Sequence, residues 1–217
     1  PELIISSEIP KKTTCVVIGC GLGNLACNNS TSEKILNTFL SWFLTTKNPS
    51  CVIDADLFYY FDIKNLFTKL SSVSEARIIL TPHPKELLSL CELCGIPLYG
   101  GRISSIIEHR IDIASEFHKL FPNITLILKG SNTFISCNNN IYICNLGNQN
   151  LAKAGSGDVL TGLVGSLLAQ GYNSKEAAIS AVLAHSLASC METPESYSLT
   201  PEKLIENISN LHNFNMN

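Results

Sequence analysis

Four apolar runs constrain the fold of this chain most, because each ends in a turn and three of the four lead into a segment with helical spacing. CVVIGCGLGN (15–24), CVIDADLF (51–58), ARIIL (76–80) and ITLILKG (124–130) are apolar at consecutive positions rather than alternate ones. Such strands must be buried on both faces, which predicts a mostly parallel sheet covered by helices. Between the first two, SEKILNTFLSWFLTTKN sets Ile35, Leu36, Phe39, Leu40 and Phe43 at helical spacing, and Ser30 with Glu33 fits a capping box. Pro84 marks the first turn of a helix after TPHP, and a further helix is expected from about Ser104 to Leu120. TFISC and IYICNLG flank Asn138, Asn139 and Asn140 and read as a hairpin. Two apolar helices and a short one starting near Pro201 complete the chain. No repeat or linker interrupts it, so residues 1–217 are expected to form a single α/β domain.

Composition narrows the function classes. Hydrophobic residues make up 45% and charged residues 15%, which supplies a large core and excludes a disordered chain. The net charge is −3 with no basic block, which argues against nucleic acid as a partner. No apolar run reaches membrane-spanning length, and the start, PELIISSEIPKK, lacks the pattern of a signal peptide. The nine cysteines show no compact framework. They are expected to be reduced and free of metal, in a cytoplasmic setting. Cys91 and Cys94 form a CxxC without a second ligand pair and read as helix packing. Cys137 and Cys144 flank the hairpin and could face each other.

The segment NQNLAKAGSGDVLTGLVGSLLAQG (148–171) carries the sharpest chemical signal. Gly155 and Gly157 allow a tight turn before a helix beginning near Asp158, and successive N–H groups there form an anion cradle at the positive end of the helix dipole. Asp158 either faces whatever the cradle holds or serves only as a cap. Gly21 and Gly23 follow the first strand, where ligands sit in open α/β sheets, although GCGLGN is not a dinucleotide fingerprint. Asp54 and Asp56 end the second strand and either organise Mg²⁺ through water or cap the next turn. TPHPKE (81–86) is a loop whose two prolines fix the backbone and display His83 and Glu86. Lys129 follows a strand end and either neutralises phosphate or is a surface lysine. His185, on an apolar helix, reads as a packed core histidine.

Taken together, these segments resemble a known family. AGSGDVLTG is similar to the G-x-G-D signature of ribokinase-like kinases. The longer string around it, with IGCGLG, VIDADLF, LTPHPKE, LKGSNTFI and SLTPEKLI in order, resembles the NAD(P)H-hydrate dehydratases over roughly the first 208 residues. Cys20 stands where that family usually has Pro, and Lys85 where it usually has Gly. The family domain also carries about sixty further N-terminal residues, including an alanine that lines the hydrate site, and PELIISSEI resembles the point where they end. If they are absent, a sheet edge and apolar surface are expected to be exposed.

The resemblance implies a ribokinase-like three-layer αβα sandwich with a hairpin in its C-terminal half. It implies dehydration of the S epimer of hydrated NADH or NADPH, driven by ADP or ATP with Mg²⁺ and passing through phosphorylation of the hydrate hydroxyl. Asp158 is then the catalytic base. Gly21, Gly23, His83, Glu86 and Asp158 bind the hydrate. Lys129, Gly130, Ser131, Asn132, Thr133, Gly155, Ser156 and Gly157 hold the adenine nucleotide. No protein residue is assigned as a metal ligand. A homo-oligomer, and fusion to an NAD(P)H-hydrate epimerase domain, are further implications. Two rivals stay open on the residues alone: a ribokinase-like small-molecule kinase, and a non-catalytic nucleotide-binding remnant.

Overall fold

A computed structural model describes residues 8–23, 30–192 and 199–213. The PELIISS start, Cys27 and the side chain of Ser30 lie outside the described residues, so the capping box expected at Ser30 does too. The four apolar runs become β1 (Cys15–Ile18), β2 (Ser50–Ile53), β3 (Arg77–Leu80) and β4 (Ile124–Leu128), paired in parallel and in sequence order. β5 (Thr133–Cys137) and β6 (Asn140–Cys144) add antiparallel, giving a six-stranded sheet ordered β1 to β6. The intervening helices α1 (Ser30–Thr45), α2 (Ile63–Ser71), α3 (Pro84–Cys94), α4 (Ile103–Glu108) and α5 (Arg110–Leu120) contribute to the large core on one face. α6 (Ser156–Ala169) and α7 (Ser174–Cys190) cover the other face, and α8 (Pro201–Ser209) packs against both.

The consecutive apolar runs are explained by where alternate residues go. Cys51, Ile53, Ile78, Leu80, Leu126 and Leu128 enter the core under α1–α5, while Val52, Ile79 and Ile127 enter the core under α6 and α7. Period-two geometry sends neighbours to opposite faces, so a strand covered twice is apolar throughout. Gly165 sets how closely α6 approaches: a Cβ there would stand 2.5 Å from Val17 Cγ2. Gly162 faces open space instead. Among the described residues β1 is an edge strand, with Val17 43% exposed. An apolar groove lined by Ile9, Val17 and Ile35 runs along this edge, and a second, lined by Val159, Leu163 and Ile205, lies between α6 and α8.

Two sequence expectations need correction. The helix expected from Ser104 to Leu120 is broken at His109, whose backbone (φ −99°, ψ 22°) leaves the helical region. The break turns its ring onto Tyr99, with centroids 4.3 Å apart and planes 11° from parallel. Cys137 and Cys144 do not face each other. Asn138 and Asn139 (φ 51° and 61°) form a two-residue turn of the kind hairpins favour, so Cys137 pairs with Asn140 and Cys144 with Thr133 at the far end. The eight described cysteines are free, and Cys91 and Cys94 lie on the buried face of α3. No helix among the described residues is long and apolar enough to cross a membrane.

Candidate active site

The carboxyl ends of β1, β2, β3 and β4 meet the start of α6, and the sequence-selected residues gather there. Asp54 leaves β2 with its side chain 2% exposed. Its Oδ1 accepts from Lys129 Nζ at 2.9 Å, and its Oδ2 accepts from Thr161 Oγ1 at 2.5 Å. Thr161 in turn lies 3.4 Å from Thr81 Oγ1. Asp54 therefore makes no side-chain cap of the following turn, and both its oxygens are engaged, one in an ion pair. Asp56 points elsewhere and accepts the Gly23 N–H at 2.8 Å, which fixes the glycine loop after β1. Ala55 between them has φ 52°, a strained conformation for a residue with a Cβ.

Sequence reading singled out Gly21 and Gly23 in that loop and missed Gly19. All three have positive φ, but only at Gly19 would a Cβ collide, lying 1.7 Å from the Asp54 carbonyl oxygen. Gly19 is thus what lets the β1 turn close on the Asp54 backbone. Thr161 was also missed, because one threonine within an apolar helix gives no signal until the opposing carboxylate is seen.

TPHPKE forms a closed capping box at the start of α3. His83 Nδ1 accepts from the Lys85 and Glu86 N–H groups at 3.1 and 3.2 Å, so the ring proton sits on Nε2, 3.2 Å from Glu86 Oε1. The His83 N–H donates to Glu86 Oε2 at 2.7 Å. His83 is half-exposed, as expected of a displayed residue, but Glu86 is not on display: it is buried, with Lys129 Nζ 3.8 Å away. Burial raises the Glu86 carboxyl to about 7, against the opposing pull of Lys129 and the His83 N–H. The same burial lowers His83.

Lys129 is not a surface lysine. Its side chain is 19% exposed and its Nζ lies between Asp54, Glu86 and the α6 turn, 3.5 Å from where a Cβ of Gly157 would stand. Gly130, Ser131 and Asn132 continue as an exposed loop into β5, which Thr133 begins.

At the head of α6, Gly155 is the N-cap with φ 85°, and a Cβ there would lie 2.6 Å from Pro201 Cγ. Asp158 is the third helical residue, one turn inside the position a cap would take. The Ser156 N–H is already donated to Lys153 O at 3.3 Å, which leaves Gly157 and Asp158 as the open end of the expected cradle. His185, read as a core residue, is buried but also supports this turn: its Nε2 lies 2.9 Å from the Ser156 carbonyl and 3.2 Å from Ser156 Oγ. The carbonyl can only accept, so Nε2 carries the proton, and burial holds the imidazole below its ordinary pKa. Ligand atoms of Cys20, Asp54 and Asp158 lie within 4.8 Å of one another. Burial foremost, then Asp54 and Asp158, pushes the Cys20 thiol up to about 12, so it stays protonated beside Asp158.

The family profile of the NAD(P)H-hydrate dehydratases matches residues 4–210. The chain belongs to that family. A bifunctional NAD(P)H-hydrate repair enzyme of Helicobacter pylori is 39% identical over 210 residues, covering 97% of this chain and 40% of its own length. An ADP-dependent (S)-NAD(P)H-hydrate dehydratase of Neisseria meningitidis is 33% identical over 177 residues, covering 79% of this chain and 53% of its own. The chain thus spans about half or less of these curated dehydratase relatives. An ADP/ATP-dependent NAD(P)H-hydrate dehydratase of Bacillus subtilis, co-crystallised with ATP and Mg²⁺, superposes with TM-score 0.71 at 22% identity, over 95% of this chain and 67% of that one. The dehydratase fold seen here is ribokinase-like, as the sequence resemblance implied.

Proposed function

We propose that this chain restores NADH and NADPH from their hydrates, as the dehydratase domain of a nicotinamide-nucleotide repair enzyme using ADP or ATP. The observation that carries the reading is the exposed carboxylate of Asp158 in the first turn of α6, beside the Lys129–Asp54 pair and the open end of the helix dipole. The hydrate's hydroxyl is a poor leaving group. In the proposed reaction Asp158 accepts its proton as the oxygen bonds to the terminal phosphorus, and the shortened nucleotide departs. Inorganic phosphate then leaves with the carbon–oxygen bonding pair, and the neighbouring ring carbon loses a proton, which restores the dihydropyridine double bond.

The remaining residues take supporting parts in this reading. The Gly157 and Asp158 N–H groups and Lys129 face the charge on the transferred phosphoryl group. His83 presents its outer face to the hydrate, with the Gly21–Gly23 loop opposite. Glu86 acts through His83 and Lys129 rather than by open contact. Gly130, Ser131, Asn132 and Thr133 cradle the nucleotide, with Gly155 and Ser156 shaping the turn. Mg²⁺ fits the oxygen chemistry here: the Asp158 carboxylate is exposed, each Asp54 oxygen keeps accepting capacity beside its one bond from Lys129 or Thr161, and the protonated Cys20 thiol is no ligand for a hard cation. A cation carried on the nucleotide phosphates and reached by Asp158, with Asp54 behind water, would supply charge neutralisation.

The same reading includes an upstream segment pairing with the β1 edge, supported by the apolar groove along it. An attached epimerase domain is supported by the bifunctional relative. Association of several copies is supported by exposed Ile143 on edge strand β6. The free cysteines accord with a cytoplasmic setting. The test is to add the protein, Mg²⁺ and ADP or ATP to hydrated NADH and follow the near-ultraviolet absorbance of the dihydropyridine. Recovery that requires the nucleotide supports the reading, and unchanged absorbance with folded protein refutes it.

A further inference from the structure

The loop of Gly130, Ser131 and Asn132 has almost nothing of its own to hold its shape. Its three N–H groups have no backbone partner among the described residues, and all three residues are exposed. Lys129 before it is tied by its N–H to Pro82 O at 3.0 Å, and Thr133 after it enters β5. Between these anchors one side chain reaches the loop. Arg110, the first residue of α5, donates from Nη1 to the Asn132 carbonyl at 2.9 Å. Its Nε donates to the Ile107 carbonyl at 3.0 Å, and its guanidinium carbon lies 4.1 Å from the centre of the Phe134 ring.

We infer that Arg110 is a positioning residue for adenine-nucleotide binding, acting by fixing the 130–132 loop in its binding shape; this rests on the proposed function above. The geometry suits that role better than a role in general stability. Arg110 has no carboxylate partner among the described residues, so its charge is balanced by two carbonyls and a ring face. The ring it covers belongs to Phe134, two residues beyond the bonded carbonyl, so one planar group fixes both the loop and its exit into β5. The peptide is planar and trans, so holding the Asn132 carbonyl toward α5 turns the next N–H to the opposite side. The guanidinium also lies close over Gly130, where a Cβ would stand 2.9 Å from Arg110 Nη1. A loop already in its bound shape binds more tightly because less freedom is lost on binding.

The test uses the full-length protein, with ADP and ATP binding measured by calorimetry and steady-state kinetics measured with hydrated NADH. Arg110→Ala is expected to weaken nucleotide binding about tenfold, the scale of one charge-assisted hydrogen bond, with kcat and the KM for hydrate within about twofold. Arg110→Lys keeps a charge over Phe134 but not the fork, and is expected to recover part of the loss. Arg110→Gln keeps a donor for the Asn132 carbonyl without the charge or the fork, and is expected to fall between wild type and Arg110→Ala. If Arg110→Ala is poorly folded, Arg110→Lys and Arg110→Gln carry the test. Unchanged nucleotide affinity in these variants, or equal weakening toward nucleotide and hydrate, overturns the inference. A wild-type protein that binds no adenine nucleotide overturns the proposed function instead.

Discussion

Replacing Lys129 by methionine tests how the site is held together. The substitution keeps most of the apolar stem and removes the ammonium from a carboxylate whose side chain is 2% exposed. Deleting one partner of a fully buried ion pair costs about 3–5 kcal/mol, because the other charge is left unpaired. Two features lower that figure here: Asp54 keeps its bond from Thr161, and the Lys129 side chain is 19% exposed, so water can reach the vacated position. About 2–3 kcal/mol remains, which for a domain of this size lowers the melting temperature by roughly 4–12 °C. Urea unfolding of the wild type, Lys129→Met, Asp54→Asn and the double variant measures this directly. The double variant is expected to be more stable than the sum of the two single losses by about 1–2 kcal/mol. A Lys129→Met protein within about 0.5 kcal/mol of wild type would show that the pair is solvated, and the packing argument for the site would fail.

Asp158→Asn keeps the size of the side chain and removes the base, so turnover is expected to fall about 10²-fold or more with nucleotide affinity roughly kept; near-normal turnover removes Asp158 from the mechanism. Stability should respond to pH in two windows. Burial holds His118 and His185 below their ordinary 6.5, so the unfolded chain binds more protons, and their contribution is full above 6.5 and lost as pH falls. Glu86 is raised from 4.5 to about 7, so its contribution is full below 4.5 and lost as pH rises through about 7. Unfolding midpoints across this range should therefore lose their neutral-side slope in Glu86→Gln, and an unchanged slope would contradict the burial argument. Thiol titration of freshly purified, denatured, non-reduced protein should find all nine cysteines free, and a clearly lower count would contradict the reduced-core reading.

Much of this architecture is legible in the sequence because it rests on local rules. Consecutive apolar positions announce strands covered on both faces, the Asn138, Asn139 and Asn140 triplet announces a hairpin, and Pro84 and Pro201 sit in the first turns of α3 and α8. What was hidden depends on distant partners. Residues 104–120 have continuous helical spacing, and only the stacking of His109 on Tyr99 shows why the helix breaks. Glu86 looks like an exposed loop acid until the His83 box folds it inward. Lys129 looks like a surface lysine until Asp54, 75 residues away in sequence, is placed beside it. Gly19 and Thr161 stand inside IGCGLG and AGSGDVLTG without being singled out, and Arg110 lies outside every motif, since each matters through contact with an element the local pattern does not specify.

The central claim is that phosphoryl transfer here serves to expel water, and counting products tests it most directly. Hydrated NADH, Mg²⁺ and ADP or ATP are incubated with the protein, and released inorganic phosphate is measured alongside restored dihydropyridine absorbance. The account predicts one phosphate for each NADH restored, with neither appearing when the nucleotide is omitted. A stable phosphorylated product, or nucleotide consumed with no rise in absorbance, would make this site a kinase and contradict the account.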